Sequence, residues 1–169
     1  EFLDQRFIVM AGLRYDYHNI FGSIWTPRAH IMYKPDEFTS IKATFGRGLR
    51  TPNILAENSY LLASAANFYV NGELLGKNPA LLDDLKMEDS WNFGANVNRK
   101  FEVFGRTLNI NLDYYHTKFN DQVVVDNETA YNKVNFYNLD GDSYSNCYQV
   151  EVKYELIPRL EATLAYRYN

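Results

Sequence analysis

Cys147 is the single cysteine in 169 residues. Its isolation excludes an internal disulfide and any paired-cysteine metal or redox site, and its plain reading is a small strand residue. No apolar run approaches the ~20 residues that a membrane helix requires. Lys and Arg are scattered without a basic run. The net charge of -4 and pI near 5.4 disfavour a general nucleic-acid binder. Residues 1–6 hold no apolar signal core. The chain starts without Met and ends on Tyr166-Arg167-Tyr168-Asn169 inside a strand-like pattern, so a piece of a longer protein is expected.

What is present is aromatic. Phe, Tyr and Trp make up 16% of the chain, yet the mean hydropathy is -0.40. Disordered chains are poor in aromatics. A transmembrane β-barrel reconciles the two numbers, because lipid-facing and lumen-facing residues alternate and the average hides the apolar face.

The dominant period is 2 rather than 3.6. Residues 7–17 place Phe7, Val9, Ala11, Leu13, Tyr15 and Tyr17 on one face and Gly12, Arg14 and Asp16 on the other. The same alternation recurs at 29–33, 41–45, 91–97, 108–114, 148–154 and 160–166. The pattern predicts an all-β chain, an antiparallel meander of about seven strands. Most apolar faces end in Tyr, Trp or Phe with Ala, Val, Leu and Ile between. That is the aromatic girdle of a membrane barrel, although aromatic cross-strand pairs also occur in soluble sheets.

Connection lengths alternate. Short ones are expected at 34–39, 99–106 and 155–159, where Pro35-Asp36, Gly105 and Pro158 supply turn chemistry. Longer ones are expected at 19–26, 49–88 and 118–143. Short turns on one side and long loops on the other match barrel architecture. Within 49–88, Ala63-Ser64-Ala65-Ala66 reads as a short helix or a mobile stretch. A loop of this length above a barrel rim is often functional.

Three segments resemble the barrel of TonB-dependent outer-membrane receptors. Residues 41–53, Ile-Lys-Ala-Thr-Phe-Gly-Arg-Gly-Leu-Arg-Thr-Pro-Asn, followed by Ala56-Glu57-Asn58, look like the family's Gly-Arg-Gly-aromatic-Arg-x-Pro strand end, with Leu49 at the aromatic position. Residues 85–94 resemble its Pro-Glu-x-Ser strand opening, with Met87 in place of Pro and Asn78-Pro79 further upstream than the pattern expects. Asn135-Phe136-Tyr137-Asn138 through Tyr144-Ser145, leading to Gln149-Val150-Glu151-Val152, resembles a strand late in the barrel of vitamin B12 and iron-chelate receptors. The long loop resembles receptors of Bacteroidetes-type bacteria.

The resemblance implies a fold, a place and partners. The chain is expected to be about a third of a 22-stranded transmembrane barrel, in the outer membrane of a Gram-negative bacterium. Its parent is expected to import a scarce nutrient, an iron chelate or cobalamin, with energy delivered through TonB. The plug domain and TonB box are absent from this sequence, and no cofactor is implied. The family motif maps to Gly46, Arg47, Gly48, Arg50, Pro52, Asn53 and Glu57. Expected partners are the bilayer and its lipopolysaccharide, the parent's plug, TonB and a small nutrient.

Parity carries the reading to single residues. Arg14, Asp16, Lys42, Asp113, Glu151 and Lys153 fall on the lumen face, as ion-pair ladders, plug contacts or hydrated groups. Arg50 points inward. Arg47 points outward beside Phe45, to pair with lipopolysaccharide phosphate or to snorkel. Gly46 and Gly48 share a face, where mid-strand glycine admits a close neighbour or marks a bend. In the long loop, Tyr60, Asn67, Phe68, Tyr69 and Asn71 are the ligand-contact candidates, since Tyr and Asn offer rigid area and adaptable hydrogen bonds. Loop packing is the competing role for each.

Other chemistry is sparse. His18, His30 and His116 are dispersed, which disfavours a metal site. Asp83, Asp84, Glu88 and Asp89 form a Ca²⁺ or ligand candidate or a solvated acidic face. No phosphate-binding glycine loop or nucleophile elbow is present, so an enzyme ranks behind both the receptor and its rival, a soluble β-sheet binding module such as a carbohydrate-binding sandwich. Two unpaired sheet edges would make an isolated chain self-associate.

Overall fold

A computed structural model describes residues 6–169, apart from the side chain of Lys77; the sequence reading of residues 1–5 lies outside them. The strands are β1 (Phe7–His18), β2 (Gly22–Tyr33), β3 (Thr39–Arg50), β4 (Asn67–Val70), β5 (Glu73–Leu74), β6 (Glu88–Val103), β7 (Arg106–Asn120), β8 (Val123–Asp126), β9 (Lys133–Asn138), β10 (Ser143–Ile157) and β11 (Leu160–Tyr168). Seven form one sheet in the order β1-β2-β3-β6-β7-β10-β11, antiparallel at every step. This wall is the expected meander.

Alternation explains the wall's two faces. Leu13, Ile31, Leu112 and Leu164 stand on one face with 41–74% of their surface exposed. In water, so large an apolar patch would be a liability. Aromatic contacts bracket it. Tyr15–Trp25, Phe45–Trp91 and Tyr114–Tyr148 pack at centroid distances of 4.6–5.1 Å at one end, and Phe7–Tyr33 at 6.5 Å at the other. From Trp25 to Tyr33 the strand climbs ~26 Å at ~3.3 Å per residue. After a ~40° tilt that is ~20 Å, near the ~25 Å apolar band of a membrane barrel. Among the described residues no helix is long and apolar enough to cross a membrane.

The turns at the Tyr33 end are tight. Phe104 and Gly105 connect β6 to β7 with φ of 51° and 70°, the left-handed pair that matches the twist of a hairpin. At 158–159, Arg159 takes φ 72°, next to a bulge in β10 between Glu155 and Ile157. At 34–38, the Phe38 N–H donates to the Asp36 carboxylate at 2.8 Å.

The opposite end departs from expectation in three ways. The first connection is short: β2 begins at Gly22, whose φ of 73° favours glycine, so the loop is 19–21 rather than 19–26. Only two of the three connections on this side are long. Secondly, residues 51–87 and 121–142 fold together. They supply a second sheet, β5-β4-β9-β8, in which β4 and β9 run parallel. Thirdly, the helix falls at Ile54–Glu57, followed by 3-10 turns at Ser59–Ala63, Leu75–Lys77 and Pro79–Asp84. The stretch at 63–66 instead ends one of those turns and enters β4. Asn78 caps the last turn, its side-chain oxygen accepting from the Ala80 N–H at 3.2 Å.

The buried apolar residues lie in this cap. Ile54, Leu61, Val70, Leu75, Leu81, Leu85, Val134 and Phe136 form one cluster, with Val70 and Phe136 at 0% exposure. A wall one sheet thick has nothing to pack against. The cap packs against itself.

Candidate functional site

The site is built where the polar face of the wall meets the cap. Arg50, the last residue of β3, pairs with Glu88, the first of β6. It also reaches Glu57 on the cap helix at 3.4 Å. The second carboxylate oxygen of Glu88 accepts from the Val123 N–H at 2.9 Å. One guanidinium and one carboxylate thus join the wall to both long loops. Lys86 and Asp121 pair at 3.0 Å beside them. The Asn138 amide clasps the same place, donating to the carbonyls of Lys86 at 3.2 Å and Asp121 at 2.6 Å. A cavity of about 290 Å³ lies here, lined by Gly48, Arg50, Glu88, Ser90, Phe119 and Gln122.

Lower on the same face, Asn96 donates to Asn111 at 2.8 Å and to Asp113 at 2.7 Å. Tyr115 crosses Gly94, and any Cβ there would stand 2.9 Å from the ring. Lys42, Thr44, Asp113 and Tyr115 line a groove of about 260 Å³ over it. Arg14 pairs with Asp16 at 2.7 Å, and Lys153 with Glu151 at 3.1 Å. All six residues assigned to this face by parity carry their side chains on strands whose register puts them there.

The motif residues divide between wall and cap. Gly46 is approached by the Arg28 stem and Gly48 by the Ser90 hydroxyl, so the close neighbours are side chains of the adjoining strands. Asn53 precedes the cap helix, and its carbonyl accepts from the Glu57 N–H at 2.9 Å. Pro52 sits half-buried before it. Arg47 faces the apolar side, as parity requires, but it is engaged. Its guanidinium bonds Asp89 twice at 2.9 Å, donates to the Trp25 carbonyl at 3.2 Å and lies 5.5 Å from the Trp91 ring. Its side chain is thus paired within the wall while 29% of its surface stays exposed.

The five loop candidates scatter. Tyr60 is 67% exposed, and Asn67 is exposed at the start of β4. Phe68 stacks on Phe136 at 6.2 Å. Tyr69 lies under the Lys133 ammonium at 4.3 Å. Asn71 takes φ 49° in the β4–β5 turn and donates its N–H to the Phe136 carbonyl at 2.9 Å. The acidic cluster splits too: Arg50 and Arg47 hold Glu88 and Asp89, while Asp83 and Asp84 stay exposed. Among the described residues no group of three or more His, Cys, Asp or Glu is placed to hold a metal ion.

Sequence reasoning missed the Asn138 clasp and the whole of β9. The segment 135–138, read as part of a late barrel strand, belongs to the cap, and only from Ser143 does the chain rejoin the wall. Val134 and Phe136 alternating with polar residues carried the signal. So did Leu75, Leu81 and Leu85 in an otherwise polar stretch.

A single antiparallel wall, apolar on one side, polar on the other and capped at one end by its own loops, is the class of a membrane β-barrel segment. The chain belongs to the TonB dependent receptor-like, beta-barrel family, whose model matches residues 1–169. It is 32% identical over 94 residues to the ferrienterobactin receptor of Escherichia coli strain K12, covering 50% of this chain and 11% of that protein. It is 26% identical over 122 residues to the probable TonB-dependent siderophore receptor PirA of Acinetobacter baumannii, covering 69% and 15%. The ferric enterobactin receptor PfeA of Pseudomonas aeruginosa shares the fold at a TM-score of 0.69 and 18% identity, over 97% of this chain and 24% of that one. The chain thus spans a small part of the relatives it matches. None of these three comes from a Bacteroidetes-type bacterium.

Proposed function

We propose that this chain is barrel wall and outer-surface loop of a receptor that takes up a scarce nutrient, an iron chelate or a similarly carried compound, across an outer membrane. One observation carries the proposal: an exposed apolar face bracketed by aromatics, on a chain whose family and named relatives are TonB-dependent receptors. Lipid covers that face. The polar face lines the lumen of a wider barrel, of 22 strands in the large plugged transporters. The parent's plug occupies that lumen, and TonB supplies the energy. The role is binding and passage rather than catalysis. A soluble sandwich would put a second sheet against the apolar face, and here the second sheet packs at the wall's end instead.

Two arms test the reading. The full-length parent, expressed in a Gram-negative host, should fractionate with the outer membrane and require detergent for extraction. Iron-starved cells carrying it should accumulate a ferric chelate only when TonB is present. A soluble parent sinks the barrel, whereas a membrane-bound parent with no TonB-dependent uptake of any chelate or cobalamin sinks the receptor alone. Within the outer surface, Tyr60 and Asn67 are the proposed ligand contacts, because both remain free to touch solvent.

A further inference from the structure

The wall contains a seam. β1 and β2 stay paired up to His18↔Gly22, and β3 and β6 stay paired up to Arg50↔Glu88. Between β2 and β3 the register stops at Arg28↔Gly46. The next residue of β2 is Pro27. Proline has no N–H to give a ladder, which is why it is rare in interior strands. Beyond it the two hairpins part and leave a cleft of about 330 Å³ lined from both faces of the wall, some ten times the ~30 Å³ share of one water.

The lining sets donors beside the Asp16 carboxylate and the apolar Ile24, Leu49 and Met87. Thr26 is 9% exposed, and its hydroxyl has no hydrogen-bond partner among the described residues. A buried hydroxyl left unpaired costs about 1–3 kcal/mol; the Thr26 oxygen is closed off from solvent, and a partner admitted by a small opening of the seam would relieve that cost. His18 uses Nδ1 to accept from the N–H groups of Ile20 at 3.2 Å and Phe21 at 3.4 Å. In the neutral ring the proton then sits on Nε2, which becomes a donor. Arg14 is neutralised by Asp16 and Arg47 by Asp89. Arg28 has no ion-pair partner among the described residues. In a chain of net charge -4, this pocket holds one uncompensated guanidinium, a donor imidazole and an orphan hydroxyl.

We infer that the seam between β2 and β3 is a binding site for a small oxyanion, phosphate or carboxylate in class, gripped by Arg28 with Thr26 and His18 as supporting donors. The planar guanidinium fork suits two oxygens of one anion. The oxyanion is a soluble species reaching the site from the polar side of the wall. The site depends on the proposed receptor role only for which face is the lumen.

Thermal unfolding of the full-length parent in detergent tests the site, with inorganic phosphate as the probe against chloride at matched ionic strength. A ligand that binds only the folded state raises the midpoint in a saturable way. The wild type should show that rise. Arg28→Gln should lower the response at least fivefold and Thr26→Val at least halve it. Arg28→Lys, which keeps the charge and loses the fork, should retain a weakened response and covers the case in which Arg28→Gln folds poorly. A phosphate response equal in all variants, or absent from the wild type, overturns the site. If phosphate does nothing to the wild type while Arg28→Gln lowers the midpoint without it, a carboxylate of the parent chain fills the seam, and that also overturns the inference. No nutrient or TonB enters the measurement, so it fails independently of the receptor role.

Discussion

Arg47 holds both carboxylate oxygens of Asp89 at 2.9 Å while donating to the carbonyl of Trp25. One side chain thus spans three strands, and it does so where Pro27 has ended the β2–β3 ladder. It replaces a missing backbone hydrogen bond with a charged one. The pair is largely shielded, with side-chain exposures of 29% and 15%, so screening by water weakens it less than an exposed pair.

Arg47→Met should therefore destabilise the wall by about 2 kcal/mol, the scale of a hydrogen bond to a charged group, and widen the seam. Arg47→Lys should recover part of that, since an ammonium keeps the charge and loses the fork. Urea unfolding of the parent in lipid vesicles reads both. Equal stability of Arg47→Met and wild type would show that the staple carries no weight.

The cap should melt by itself. Phe136→Ala removes a ring with no exposure from the only apolar core among the described residues, at a cost of about 3–5 kcal/mol. Hydrogen exchange should quicken in β4 and β9 and stay unchanged in β6 and β7, whose stability comes from their own ladders. Matching acceleration in the wall would mean that cap and wall form one cooperative unit.

Gly94 leaves room for its neighbours. A Cβ there meets Thr44 and the Tyr115 ring, so Gly94→Ala should destabilise by about 1–3 kcal/mol through overpacking. Thr44→Ala in the same chain should return part of the loss. Thermal unfolding of the single and double variants decides the point, and simple additivity would rule out the clash.

Acid should loosen one loop turn. The Asp126 carboxylate accepts from the Thr129 hydroxyl at 2.6 Å and from the N–H groups of Thr129 at 3.0 Å and Glu128 at 3.1 Å. The Thr129 bonds, its hydroxyl first, and then the Glu128 N–H hold the Asp126 pKa below its usual 3.8. A depressed acid stabilises the fold above its unfolded pKa, and that contribution is lost as pH falls through the folded value. Amide protection at Glu128 and Thr129 should thus persist at pH 5 and fade below pH ~3.8, while Asp126→Ala should show no such pH step. A fade centred well above pH ~4 would contradict the bonding.

The 169-residue chain alone should not stay monomeric. β1 and β11 are the wall's edges, each offering an unpaired row of backbone groups. Light scattering in detergent should find dimers or larger species. A well-dispersed monomer would require something to cover those edges.

Much of the wall was legible because a strand alternates its side chains with period 2 and this wall keeps its apolar residues on one face. Phe7 to Tyr17 alternate without exception at the apolar positions, and the structure pairs every one of them. The same rule hid Pro27. Reading the second strand from Ala29 avoided the proline and so missed both the extension to Gly22 and the seam. The cap was illegible for a different reason. β4 and β9 are four and six residues long and find each other across the chain, so neither has a local pattern strong enough to announce a strand. Phe68 and Tyr69 looked like surface aromatics because nothing nearby in sequence foretells Phe136 and Lys133. Arg47 was placed on the right face, but its partner Asp89 is revealed only by the β3–β6 register.

The parallel pairing of β4 with β9 also sets a clock. Asn67 lies against Lys133, a contact that closes a long loop of chain and waits on the entropy of that closure. The β6–β7 hairpin lies between those two segments and brings them together. The cap is therefore a late event in assembly, and it can form only when the intervening strands are in register. A slip of one residue in β6 would turn Glu88 to the wrong face and break its bonds to Arg50 and to the Val123 N–H.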